Sequence, residues 1–143
     1  MVGTATDLAG NTAQITVTVN LDKTAPDLTS ALAQAPNAAG WNNSDVTVSF
    51  AATDALSGLA TVSPDAVVTT EGAGQAVQGT ATDLAGNSAT TTATVNLDKT
   101  APQVTATAAP AANANGWNNI DVTVSFTAVD GLSGVVTVSD PVA

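Results

Sequence analysis

Cysteine and histidine are both missing from the 143 residues. That removes disulfides, thiolate chemistry, the commonest general base and the commonest transition-metal ligand. Tyrosine is missing too, and aromatic residues make up only 3% of the chain, so any core must be light. Positive charge is scarce: two Lys/Arg residues stand against twelve Asp/Glu, a net charge of −10. Such an excess argues against nucleic acid and against an anionic membrane surface as partners. No run approaches the roughly 20 apolar residues that a spanning helix needs, so no membrane insertion is expected. Met1 is followed by neither a basic region nor an apolar signal core.

What remains is mostly Ala, Val and Thr. The chain is 44% hydrophobic and 10% charged, too apolar and too regularly alternating for a disordered acidic tail. It has room for one or two small domains. Many short strands around a light core are the expectation.

An internal repeat organises the chain. Gly3-Thr-Ala-Thr-Asp-Leu-Ala-Gly-Asn11 returns as Gly79 to Asn87, and Leu21-Asp-Lys-Thr-Ala-Pro26 as Leu97 to Pro102. Gly40-Trp-Asn-Asn43, Asp45-Val-Thr-Val-Ser-Phe50 and Leu56-Ser-Gly58 return at Gly116, Asp121 and Leu132. All five blocks keep one offset of 76 residues. This is too long for a solenoid coil and suits a small β-sandwich module. Residues 22–97 then form one complete unit, 1–21 match the C-terminal hairpin of a preceding one, and 98–143 match the N-terminal part of a following one.

Within the complete unit, period-two alternation and turn residues predict strands near 27–33, 45–52, 59–63, 66–70, 76–82 and 88–96. Turns are predicted at 53–58, at Glu71-Gly-Ala-Gly74 and at Asp83-Leu-Ala-Gly-Asn87. Leu59–Ser63 alternates only weakly. No segment carries a persuasive 3.6-residue period; two prolines, Pro26 and Pro36, make the Ala-rich run 31–39 an irregular edge and loop. The fold class expected is all-β, a tandem array of immunoglobulin-like sandwiches without the cysteine pair of antibody domains. Trp41 and Trp117 are expected to plug one end of each sandwich.

Taken together, Thr-Asp-Leu-Ala-Gly-Asn, Asn-Leu-Asp-Lys-Thr-Ala-Pro, Gly-Trp-Asn-Asn and Asp-Val-Thr-Val-Ser-Phe resemble the bacterial immunoglobulin-like repeats. These are strung along large secreted and cell-surface proteins, adhesins and biofilm-matrix proteins among them. The resemblance covers essentially the whole chain. It implies an extracellular, non-enzymatic spacer, stalk or fibre subunit; an adhesive module gripping a host or matrix ligand, a glycan or protein, through its turn loops is the alternative.

The resemblance also implies Ca²⁺ at module joints, held by the linker Asp, here Asp22 and Asp98. In a sandwich of this order the turns at Asp54 and Asp83 can lie at the same end as the incoming linker, so Asp22, Asp54 and Asp83 can converge, and Asp98 with Asp130 likewise. Carboxylates and loop carbonyls supply the hard oxygens Ca²⁺ requires. The competing reading makes the same residues caps of their own turns, with no cofactor. Lys23 and Lys99, the only cations, sit in the linkers, where a salt bridge to Asp22, Asp27 or a neighbouring module's turn is expected. An isopeptide needs a buried Lys, which a linker does not offer.

Catalysis has little to work with: the single Glu, Glu71, lies in a Gly-rich turn, and a carboxylate pair would have to be Asp–Asp. The Thr-rich strands lack the short repeat of an ice-binding rank. The halves at 1–21 and 98–143 expose unpaired strand edges. Head-to-tail strand complementation between copies is one reading of them, and an arbitrary fragment boundary is the other.

Overall fold

The computed structural model describes residues 1–143 and is all-β, with ten strands and no helix. β1 (Val2–Thr6) and β2 (Thr12–Thr16) form an antiparallel hairpin. β3 (Asp27–Leu32), β4 (Val46–Thr53) and β6 (Ala66–Val68) form one sheet in the order β3-β4-β6. β5 (Leu59–Val62), β7 (Gly72–Asp83) and β8 (Ser88–Leu97) form another in the order β5-β7-β8. β9 (Gln103–Ala109) and β10 (Thr123–Val129) make a second two-stranded antiparallel sheet.

The strands lie close to where alternation put them, and the departures have causes. The weak pattern at Leu59–Ser63 coincides with a register shift between Leu59 and Thr61, so one residue drops out of the alternation. Glu71–Gly74, expected as a turn, belongs largely to β7, which begins at Gly72. Gly74 keeps a left-handed φ of 64° inside that strand, and its N–H reaches the Asn96 side-chain oxygen at 2.7 Å instead of a ladder carbonyl.

Backbone contacts divide the chain into two compact units that do not follow the repeat boundaries. The first holds 1–29, 50–63 and 79–91; the second holds 30–49, 64–78 and 92–143. In the first unit, Gly79, Ala81 and Asp83 point inward along β7 and are buried, while Thr80 between them is exposed. Gly79 is small for a reason: a Cβ there would lie inside the ring of Phe50, on β4. The two three-stranded sheets therefore touch through an aromatic ring laid on bare backbone, the packing of a β-sandwich.

The second unit buries Val46 and Val48 of β4, and Ala93, Val95 and Leu97 of β8. These β8 residues alternate with exposed Thr92 and Thr94, the half-buried pattern β-branched residues favour. Neither β9 nor β10 carries a buried residue: β9 is exposed throughout, and β10 mixes half-buried with exposed positions.

The tryptophans depart from expectation. Trp41 is half-buried and Trp117 is 74% exposed, so neither is an enclosed plug. The Asn37 side chain accepts the N–H groups of Ala39 (2.9 Å) and Trp41 (3.0 Å), closing a turn that holds Trp41 at the rim. The buried position falls to its neighbour Asn42, whose amide donates to the carbonyls of Gln34 and Ala35.

Candidate metal centre and linker clamps

The Asp-Leu-Ala-Gly-Asn block builds the first part of the site. Asp83 accepts the Asn87 N–H on Oδ1 and the Asn87 side-chain amide on Oδ2, both at 2.8 Å. Gly86 closes the turn with a φ of 94°, which a side chain would oppose. Asp83 is only 2% exposed. Burial works against its charge, yet the Asn87 amide and the turn N–H groups hold its carboxyl below the usual range.

The turn at 54–58 supplies the second carboxylate. Asp54 Oδ1 accepts the N–H groups of Leu56 (3.2 Å) and Gly58 (2.7 Å). The Gly58 carbonyl accepts the Leu84 N–H at 2.9 Å, tying one turn to the other.

Asp22 is the third. Its Oδ1 takes the Thr24 N–H at 2.9 Å, and its Oδ2 takes the Ser57 N–H at 3.0 Å. Its carbonyl accepts the Asn87 amide at 3.3 Å. Donors from Ser57 and Thr24 lower the Asp22 carboxyl from its ordinary value. The linker is thus fastened to both turns of the residues that follow it.

Asp22, Asp54 and Asp83 are brought together, with one carboxylate oxygen from each lying within 4.8 Å of the others. Each also caps its own segment, as the competing reading had it, so both arrangements hold at once. Oxygens on a common Ca²⁺ stand about 2.3–2.6 Å from the ion and hence up to about 5 Å apart. The spacing and the all-oxygen donor set fit that cation and offer nothing to a soft metal. A surface groove of about 420 Å³, lined by Asn20, Leu21, Asp22, Leu56, Ser57 and Leu84, opens beside the trio.

Asp98 and Asp130 repeat the arrangement in part. Asp98 takes the Thr100 N–H at 3.0 Å and the Ser133 N–H at 2.9 Å; Asp130 caps Leu132 and Gly134 at 3.1 and 2.8 Å. Ser133 donors lower the Asp98 carboxyl. The pair lacks a third member: the residue matching Asp83 at the repeat offset is Asp7, on the β1–β2 turn, closed by Asn11 as Asp83 is by Asn87.

Sequence reasoning missed the acceptors around Lys99. Its ammonium pairs with Asp45 at 2.8 Å, in the loop before β4, and reaches the Thr69 carbonyl at 2.8 Å, in the turn between β6 and β7, so it meets loops of the adjoining repeat and no linker Asp. Glu71 accepts the Lys99 N–H at 2.5 Å and the Thr100 hydroxyl at 3.0 Å. A lone Glu beside two glycines reads as turn chemistry; only the fold brings it to the linker. No protein-family model, curated protein or solved structure matches this chain.

Proposed function

We propose that this chain is a non-enzymatic structural piece of an extracellular protein built of tandem immunoglobulin-like repeats. It serves as a spacer or stalk, with 22–97 as one complete repeat. The recurring linker clamp carries the reading. Asp22 grips the Ser57 N–H and Asp98 grips the Ser133 N–H, each 35 residues ahead, at 3.0 and 2.9 Å. A chain that fixes both its linkers in one way is made to transmit geometry from repeat to repeat, and a flexible tether needs no such contacts.

Trypsin tests this directly, since Lys23 and Lys99 are the only basic residues and both lie in linkers. Clamped linkers should be cut about 100-fold more slowly in the native chain than in urea, because cleavage awaits local opening. Native cleavage at the unfolded rate ends the spacer reading.

Ca²⁺ on Asp22, Asp54 and Asp83 would stiffen the first linker by relieving three carboxylates held close together. Its binding should raise the melting midpoint with concentration, and Asp54→Asn should abolish the rise. An unmoved midpoint removes the metal and leaves the caps. The adhesive alternative draws on Trp41 and Trp117, each beside a shallow groove, of about 290 and 370 Å³. A tryptophan fluorescence shift on adding a soluble glycan would favour it.

A further inference from the structure

A free sheet edge invites pairing with another chain, and the central repeat guards all of its edges but one. β3 begins at Asp27, directly after Pro26. β6 has only three residues and follows Pro64-Asp65. β5 has four residues, a register shift and Pro64 shortly after it. β8 is the exception: ten residues, Ser88–Leu97, with no proline and no charged side chain. It lies inside the complete repeat, with every strand of its sheet present.

Bonds at both ends of β8 fix which way its backbone groups point. At the turn the Asp83 N–H donates to the Asn87 carbonyl at 3.0 Å, so Asn87 faces β7. Alternating along the hairpin, so do Ala89, Thr91, Ala93 and Val95. At the far end the Asn96 carbonyl and the Asp98 N–H point the other way, each bonded to Asn42 at 3.0 Å. The N–H and C=O groups of Thr90, Thr92 and Thr94 therefore point away from β7, toward a side of the sheet that no strand occupies. Their side chains are exposed as well.

We infer that two copies of this chain pair along β8, antiparallel and centred on Thr92, joining their sheets into one. The strand fits itself. Turned end for end about Thr92, it sets Thr90 opposite Thr94, Ala89 opposite Val95 and Ser88 opposite Asn96. In that register outward-pointing groups meet outward-pointing groups, giving about six backbone hydrogen bonds between the copies. Threonines directly opposite each other already bond in this fold: the Thr105 and Thr127 hydroxyls, on β9 and β10, lie 2.6 Å apart.

Charge points to the same edge. Each copy carries −10, yet no charged residue lies between Asp83 and Asp98. Two copies can therefore meet along β8 without setting charge against charge, and added salt should favour the pairing by screening the rest. A two-fold contact of this kind closes on itself and stops at a dimer.

Sedimentation equilibrium of the full chain tests the pairing. The contact is small, so the mass should rise from the 13.9 kDa of one copy to twice that between about 10 μM and 1 mM, and no further. Thr92→Lys and Thr92→Glu each set like charges face to face and should weaken dimerisation about 10-fold. An equimolar mixture of the two sets Lys against Glu and should recover it. Thr90→Lys with Thr94→Glu in one chain places opposite charges across two pairs and should tighten it, which keeps the register testable should a Thr92 variant fail to fold. Ala31→Lys, exposed on the guarded β3 edge, should change nothing.

A wild type that keeps one-copy mass at about 1 mM overturns the pairing. So does a dimer that the Thr92 variants leave intact, a mixture no tighter than its components, or a double variant no tighter than wild type. A loss with Ala31→Lys equal to that with Thr92→Lys would place the contact elsewhere and overturn it too.

Discussion

Residues 19–26 and 95–102 are the same eight amino acids, Val-Asn-Leu-Asp-Lys-Thr-Ala-Pro, in two different structural states. In the second copy β8 continues through Leu97, which is 0% exposed; in the first, β2 stops at Thr16 and Leu21 is 69% exposed. Local propensity is identical, so it cannot be what extends the strand or buries the leucine. The difference lies in what stands opposite: β8 has the full length of β7 to pair with, and β1 is only five residues long. Strand length here is a property of the ladder, and burial a property of the facing sheet.

The largest expected effect follows from that contrast. Leu97→Ala leaves a hole in a core with few other large residues and should cost about 2–5 kcal/mol, read as a fall in the urea midpoint. Leu21→Ala should cost no more than about 0.5 kcal/mol. Equal losses at the two positions would mean that Leu21 is covered in the free chain and would dissolve the contrast.

The same contrast marks the limit of legibility. Strand positions and the Asp-Leu-Ala-Gly-Asn turn were readable because each follows from short-range signals repeated at a fixed offset, whereas the meeting of Asp22, Asp54 and Asp83 could be expected only from the strand order of a sandwich that places their turns at one end. Asp83 and Asn87 carry their turn geometry within five residues. The placement of Trp41 was not readable, since its size suggested a plug while a side-chain acceptor four residues earlier held it at the rim. The Lys99 partners were hidden for a different reason: Glu71 and Asp45 lie 28 and 54 residues away, and no periodicity reports such a contact.

Acid should separate the two Asn-closed turns next. Asp83 and Asp7 both have carboxyls held below the ordinary value of 3.8, Asp83 against the pull of burial and Asp7 chiefly by the Asn11 amide. A carboxyl lowered on folding contributes stability above its unfolded pKa, and the contribution fades as pH falls through the folded value. The melting midpoint should therefore hold steady from neutral pH to about 5 and drop once the pH passes below 3.8. Asp83→Asn should flatten that drop. Asp7→Asn should leave the central transition unchanged, because its turn lies on the exposed hairpin. A drop that Asp83→Asn does not alter would place the acid sensitivity in other carboxylates.

The smallest effect concerns the second linker. Its Asp98 clamp repeats that of Asp22, and the Lys99–Asp45 pair is laid on top of it. Both partners of that pair are well exposed, so solvent screens their attraction and holding two side chains still costs entropy. Asp45→Ala should change stability by no more than about 0.5 kcal/mol, and the change should shrink further in high salt. The Glu71 contacts to the Lys99 N–H and the Thr100 hydroxyl survive that substitution, so trypsin resistance at Lys99 should survive it too. Glu71→Ala removes both contacts and should speed cleavage at Lys99 while leaving Lys23 untouched, since the first linker is held through Asp22, which accepts from Thr24, Ser57 and Asn87. If Asp45→Ala instead loosened Lys99 as much as Glu71→Ala does, the ammonium and not the carboxylate–backbone clamp would be what fastens this linker.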